Sequence, residues 1–152
     1  MKMSMKILNI LTISALVWVS CSSPQKTNFE TKVLLNSVTK NILGEQINFP
    51  DSNAAITSAI RVLAAGESTG IHMHESIPVV YVIEGELTIS HQTDSGIIEK
   101  VIKKGEAFIG ANNNWHETKN TSNSDAVAQV VFIGAKNLKN TVVPPPPPTL
   151  AE

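Results

Sequence analysis

Residues 66–85 read GESTGIHMHESIPVVYVIEG, and this stretch decides the fold. Val79 to Ile83 is rich in β-branched and aromatic side chains, the composition of a strand, and Glu84-Gly85 ends it. Ahead of it stand His72 and His74, with Met73 between them. On an extended chain residues two apart point to the same face, so both imidazoles look one way and Met73 the other. A third histidine, His116, can join them only if the sheet folds back over itself. Three imidazoles converging inside a small β-structure look like a metal site.

Outward from this stretch the chain is a series of short apolar runs separated by turn signals. Candidate strands are Val33–Val38, Ile56–Ala64, Val79–Ile83, Glu86–His91, Ile97–Ile102, Ala107–Ile109, Trp115–Lys119 and Val127–Ile133. Glu84-Gly85 reads as a tight hairpin, Asp94-Ser95-Gly96 as a second turn, and residues 111–114 and 121–125 as loops. Eight or nine short strands spaced about 8–12 residues apart predict an all-β barrel or sandwich. Alternation along the 79–83 strand turns Pro78, Val80 and Val82 inward and Val79, Tyr81 and Ile83 outward, toward other strands or a second subunit. Val80 and Val82 would then form an apolar pocket wall beside the histidines. His91 reads as a surface histidine at a strand end, Trp115 as a packing residue, and Glu84 and Glu86 as solvated acids.

The ends differ from the middle. Lys2 and Lys6 precede the apolar run Ile7–Val19, which is short of the roughly 20 residues that span a bilayer. With the small Ser20 this predicts a secretory signal peptide over residues 1–20. Cys21 follows at once and is the only cysteine, so it has no internal disulfide partner. Residues 22–30 are polar and read as a tether. Pro144–Pro148 cannot join a ladder, and residues 141–152 read as a Pro-rich disordered tail in polyproline II conformation. The barrel is expected over residues 31–140. The formal charge is −1 and becomes more negative without Lys2 and Lys6, and the basic residues are scattered. That gives no footprint for nucleic acid.

Two resemblances follow from these residues. Val17-Trp18-Val19-Ser20-Cys21 resembles the lipobox of bacterial lipoproteins, with Trp18 where that family usually has leucine. It implies lipidation of Cys21, attachment to a membrane through the lipid anchor, and a periplasmic place in the bacterial cell envelope. Gly66, His72, His74 and Gly85 match the first motif of the cupin superfamily, Gly-x5-His-x-His-x3-4-Glu-x6-Gly, and Gly105, His116 and Asn120 match the second, Gly-x5-Pro-x-Gly-x2-His-x3-Asn. The resemblance covers about residues 54–134 and seven of the ten motif positions. It implies a cupin jelly-roll barrel, a metal held by His72, His74 and His116, and a homodimer.

Three positions depart from the motifs: Pro78 stands where the first has its glutamate, Ala111 replaces a proline, and Asn113 replaces a glycine. Only the first removes a metal ligand. Glu75 is next to His74 and would face away on a regular strand. Three neutral histidines leave a divalent ion its full charge and favour an anionic or chelating ligand in the open positions. The resemblance leaves Fe, Mn, Ni and Zn open. It implies a metal-dependent enzyme acting on a small molecule, most nearly a quercetinase-like or thiol-dioxygenase-like dioxygenase. The alternative is a non-catalytic periplasmic module that binds a small ligand or metal, and a third reading is a barrel that keeps its histidines as relics. The catalytic residues beyond the triad are unknown from sequence.

Overall fold

The computed structural model describes residues 31–146, so the expected signal peptide and tether, Cys21 and the last residues of the expected tail lie outside the described residues. The compact unit beginning at Lys32 holds seven strands and, among the described residues, no helix. These are β1 (Ala54–Leu63), β2 (Ile77–Glu84), β3 (Glu86–Thr93), β4 (Gly96–Lys103), β5 (Ala107–Ile109), β6 (His116–Lys119) and β7 (Ala126–Ala135). They form two antiparallel sheets, one ordered β1-β7-β2-β5 and the other β4-β3-β6. This is the all-β class expected from the spacing of the runs, in the jelly-roll arrangement that the cupin resemblance implied.

The inward and outward faces follow the alternation read from sequence. On β2, Pro78, Val80 and Val82 are buried, while Val79 and Tyr81 are half-buried and Ile83 is exposed. Leu87, Ile89 and His91 form the buried face of β3, and Ala126, Ala128 and Phe132 that of β7. Leu63, Val80, Val82, Leu87, Ala126 and Ala128 pack as one core cluster. Full burial of each large aliphatic side chain contributes about 1.5–3 kcal/mol.

Two expectations are corrected. Val33–Val38 is not a strand: residues 32–35 run irregularly and border a shallow groove with Val79, Tyr81 and Val131 on the outer face of the β1-β7-β2-β5 sheet. Ser37, with φ of 51°, breaks the extended path. Seven strands therefore stand among the described residues where eight or nine were expected.

The second correction concerns Glu84-Gly85. β2 and β3 do not pair with each other but belong to different sheets. Gly85 is a corner that carries the chain from one sheet to the other. It has φ of 76°, and a Cβ there would stand 2.9 Å from the Ala126 Cα. A hairpin needs two strands side by side in one ladder. Here β2 already has β5 and β7 on its two edges, so β3 has no edge to join.

Candidate metal centre

His72 and His74 lie before β2, on a segment that pairs in two directions. His72 exchanges two backbone hydrogen bonds with His116, each 2.9 Å, at the start of β6. Met73 exchanges two with Val142, at 3.0 and 2.9 Å. The His72–His116 bridge is the folding back that brings the third histidine to the first two. The three rings then stand 4.5–4.9 Å apart between centroids. One nitrogen from each lies within 4.8 Å of the others.

Each ring is held by a backbone carbonyl. His72 Nδ1 donates to Gly70 O at 2.9 Å, His116 Nδ1 to Asn114 O at 2.9 Å, and His74 Nδ1 to Asn140 O. A carbonyl oxygen only accepts, so each Nδ1 must carry its proton and each Nε2 keeps its lone pair. Outer hydrogen bonds of this kind orient metal-binding histidines. Burial, with neighbouring His72 and Arg61 adding to it, pushes the His74 imidazole down to about 4 against the pull of the Asn140 carbonyl. Burial likewise pushes His116 down to about 3. Both rings are therefore neutral ligand donors at neutral pH.

The donor set fits a divalent ion. Two nitrogens bound at about 2.0–2.1 Å to one ion can be at most about 4.2 Å apart, so a small turn of the rings closes the triad. Among the described residues no carboxylate joins it. Pro78 fills the position where the motif has glutamate, and its ring lies against Gly110, where a Cβ would meet the Pro78 Cγ at 2.6 Å. Glu75 is turned to the 136–139 turn, where its Oε2 accepts the Lys139 N–H at 2.6 Å. Asn113, in place of the motif glycine, adopts φ of 55°, a left-handed conformation that asparagine tolerates. Its N–H donates to His74 O at 2.6 Å.

The triad opens on a cavity of about 340 Å³. Val80, Leu87, Ile89, Phe108 and Phe132 supply its apolar wall. Val80 borders the cavity as expected, whereas Val82, also expected there, is fully buried in the core cluster behind it. Trp115 does not border the cavity.

His91 is corrected outright. It is 1% exposed and borders the same cavity, its ring 5.2 Å from that of His116. Its Nδ1 bonds Asn114 Oδ1 at 2.9 Å, while Asn114 Nδ2 donates to Gln92 O. His91 Nε2 therefore bears a lone pair, and among the described residues it is buried with no partner. The sequence carried a signal that went unused, since His91 follows Leu87 and Ile89 on the inward period of β3. Asn140 was also missed. It holds His74 through its carbonyl, accepts from Ser76 Oγ at 2.9 Å and donates to Thr57 Oγ1 at 2.9 Å. No residue-type signal could have found it, because the contact to His74 is through backbone.

The model of the cupin domain family matches residues 59–133. No curated protein matches the chain. Among solved structures, an oxalate decarboxylase of Lactobacillus farciminis in complex with formate is similar at a TM-score of 0.51 and 17% identity, over 57% of this chain and 26% of that one. A cupin domain of Bordetella pertussis Tohama I is 22% identical over 57% of this chain and 88% of its own, with a TM-score of 0.46. A Bacillus halodurans protein is 15% identical over 56% and 67%, with a TM-score of 0.48. At these identities the likeness concerns the fold, and this chain spans about a quarter of the oxalate decarboxylase. The matched stretch, the two antiparallel sheets and the histidines gathered between them agree: residues 59–133 are similar to the cupin domain family and have a jelly-roll fold with a histidine triad placed so that it could hold a metal ion.

Proposed function

We propose that this protein is an exported metal-binding cupin in which His72, His74 and His116 hold a divalent ion and the adjoining cavity takes a small organic molecule. The observation that carries this reading is the set of three Nδ1–carbonyl bonds, which leaves three lone pairs for one ion. The ion would supply Lewis acidity and, if it is iron, chemistry with dioxygen. The chain's own part is to fix the three tautomers and to surround the ligand with an apolar wall. The enzymatic form of the reading is a dioxygenase of quercetinase-like or thiol-dioxygenase-like type. Pro78 in place of an acidic ligand favours the second form, a periplasmic module that captures a ligand without reaction.

Two further parts belong to this proposal. Export and lipid anchoring rest on Lys2, Lys6, Ile7–Val19 and Cys21. A homodimer is supported by β1, an edge strand among the described residues, which exposes Ile56, Ile60 and Val62 on its outer face.

The test is metal content. Protein prepared without a chelating tag and reconstituted separately with Fe²⁺, Mn²⁺, Ni²⁺ and Zn²⁺ should hold close to one ion per chain with at least one of them. Less than about 0.1 ion per chain throughout would sink the proposal. His116→Ala should lower the occupancy at least tenfold. Oxygen uptake with flavonols, diketones and small thiols then separates the enzyme from the binding module.

A further inference from the structure

Arg61 is the charged residue of β1. Leu63, two positions on, is buried in the core. Period-2 alternation therefore turns Arg61 to the same inward side, while Ile60 and Val62 point outward and are 58% and 57% exposed. Arg61 borders the triad cavity and is itself exposed, which places it at the cavity's solvent-reaching rim.

Among the described residues this guanidinium has no carboxylate partner. The two ion pairs among the described residues are Lys103–Glu86 and Lys104–Glu84, which join the β2–β3 corner to the end of β4 and the residue after it. Among the described residues the only acid bordering the cavity is Glu67, and its Oε2 accepts the Ala64 N–H at 2.7 Å. A divalent ion on three neutral imidazoles would add two positive charges to the same space. With such an ion bound, the positive charges of the cavity would outnumber the single Glu67 carboxylate, beside walls made of Val80, Leu87, Ile89, Phe108 and Phe132. Charge of one sign in a partly desolvated pocket calls for a ligand of the other.

We propose that Arg61 is the recognition cation of this cavity and that the molecule bound there is a small organic carboxylate with a hydrocarbon body. The planar guanidinium presents paired N–H donors that match a carboxylate's two oxygens. The apolar wall takes the hydrocarbon part, and a volume of about 340 Å³ lies at the small end of ligand pockets, about 300–1,000 Å³. The proposal deepens the metal-binding reading and rests on it for two of the three charges, but Arg61 itself holds no metal.

Benzoate and its neutral isostere benzamide are the probes, measured by calorimetry on metal-loaded full-length protein. Wild type should bind benzoate at least about 10-fold more tightly than benzamide. Arg61→Met keeps the aliphatic stem and removes the charge. It should weaken benzoate at least about 5-fold, leave benzamide unchanged, and leave the metal content at the wild-type value. Arg61→Lys should recover only part of the loss, because an ammonium lacks the fork. Equal affinity for the two probes, or benzoate binding unmoved by Arg61→Met, overturns the inference. If wild type takes up no metal, the metal reading fails separately. Benzoate binding to that metal-free protein must then still fall in Arg61→Met, or this inference fails too.

Discussion

His116 and Asn120 stand four residues apart in the same motif and serve different ends. His116 faces the cavity. Asn120 is fully buried and holds loops together: its Nδ2 donates to the carbonyls of Leu63, Ala64 and Ser124, and its Oδ1 accepts from the Ser122 N–H and hydroxyl. Asn120→Ala would leave several buried groups unpaired, at a cost of about 2–4 kcal/mol. Its Tm should fall by about 10 °C or more, with metal content per folded chain unchanged. The triad has a pH signature of its own in metal-free protein. His74 and His116 fall to about 4 and about 3 in the folded chain, against about 6.5 unfolded. Above pH 6.5 both rings are neutral in both states and contribute no pH dependence. Below it the unfolded chain takes up protons that the folded chain refuses, so stability is lost as pH falls toward 4 and 3. Thermal scans of the metal-free protein should show Tm at pH 5 at least about 5 °C below that at pH 7; the drop should shrink or vanish in His74→Phe/His116→Phe protein, and a drop of undiminished size there would contradict this.

The elements were legible to different degrees. β2 could be read from its side chains alone, because Pro78, Val80 and Val82 alternate with Val79, Tyr81 and Ile83 on a strand with one face to the core. β4 was found from its apolar residues, yet Ile97, Ile98 and Val101 are all exposed, and its composition did not reveal that it is an edge strand. The link at Gly85 was found as a break but misread as a hairpin, since a glycine with positive φ serves a reversal and a sheet corner equally well. Its packing gives the corner a testable requirement. Gly85→Ala must hold φ of 76° and place a Cβ 2.9 Å from backbone of Ala126, so it should lose about 1–3 kcal/mol. The urea midpoint should drop with an unchanged slope. A midpoint equal to wild type would show that the corner can relax.

For the molecule as a whole, the barrel and the anchor are separate questions. The barrel's contacts run through Val142, which pairs with Met73, so residues just before the prolines help to hold the metal segment. Thr141 and Val143, on either side of Val142, border the cavity. The proposed anchor rests on Cys21, outside the described residues. Cys21→Ser should move the protein from the membrane to the soluble fraction of cells, with the folded domain and its metal content unaltered. Continued membrane fractionation of Cys21→Ser would remove lipidation from the account.

The sequence by itself determined the all-β class, the inward face of β2 and the identity of the three histidines, because these depend on local composition, period-2 alternation and spacing. It also determined that the motif carboxylate is missing, since Pro78 cannot ligate a metal. The tertiary structure decided which strands share a sheet and that Gly85 is a corner. It also decided that His91 is buried beside the triad, that Asn140 fixes His74, and that Arg61 overlooks the cavity. These depend on contacts between residues far apart in the chain, whose energy comes from burial and from satisfying backbone groups across two sheets, and no local pattern records them.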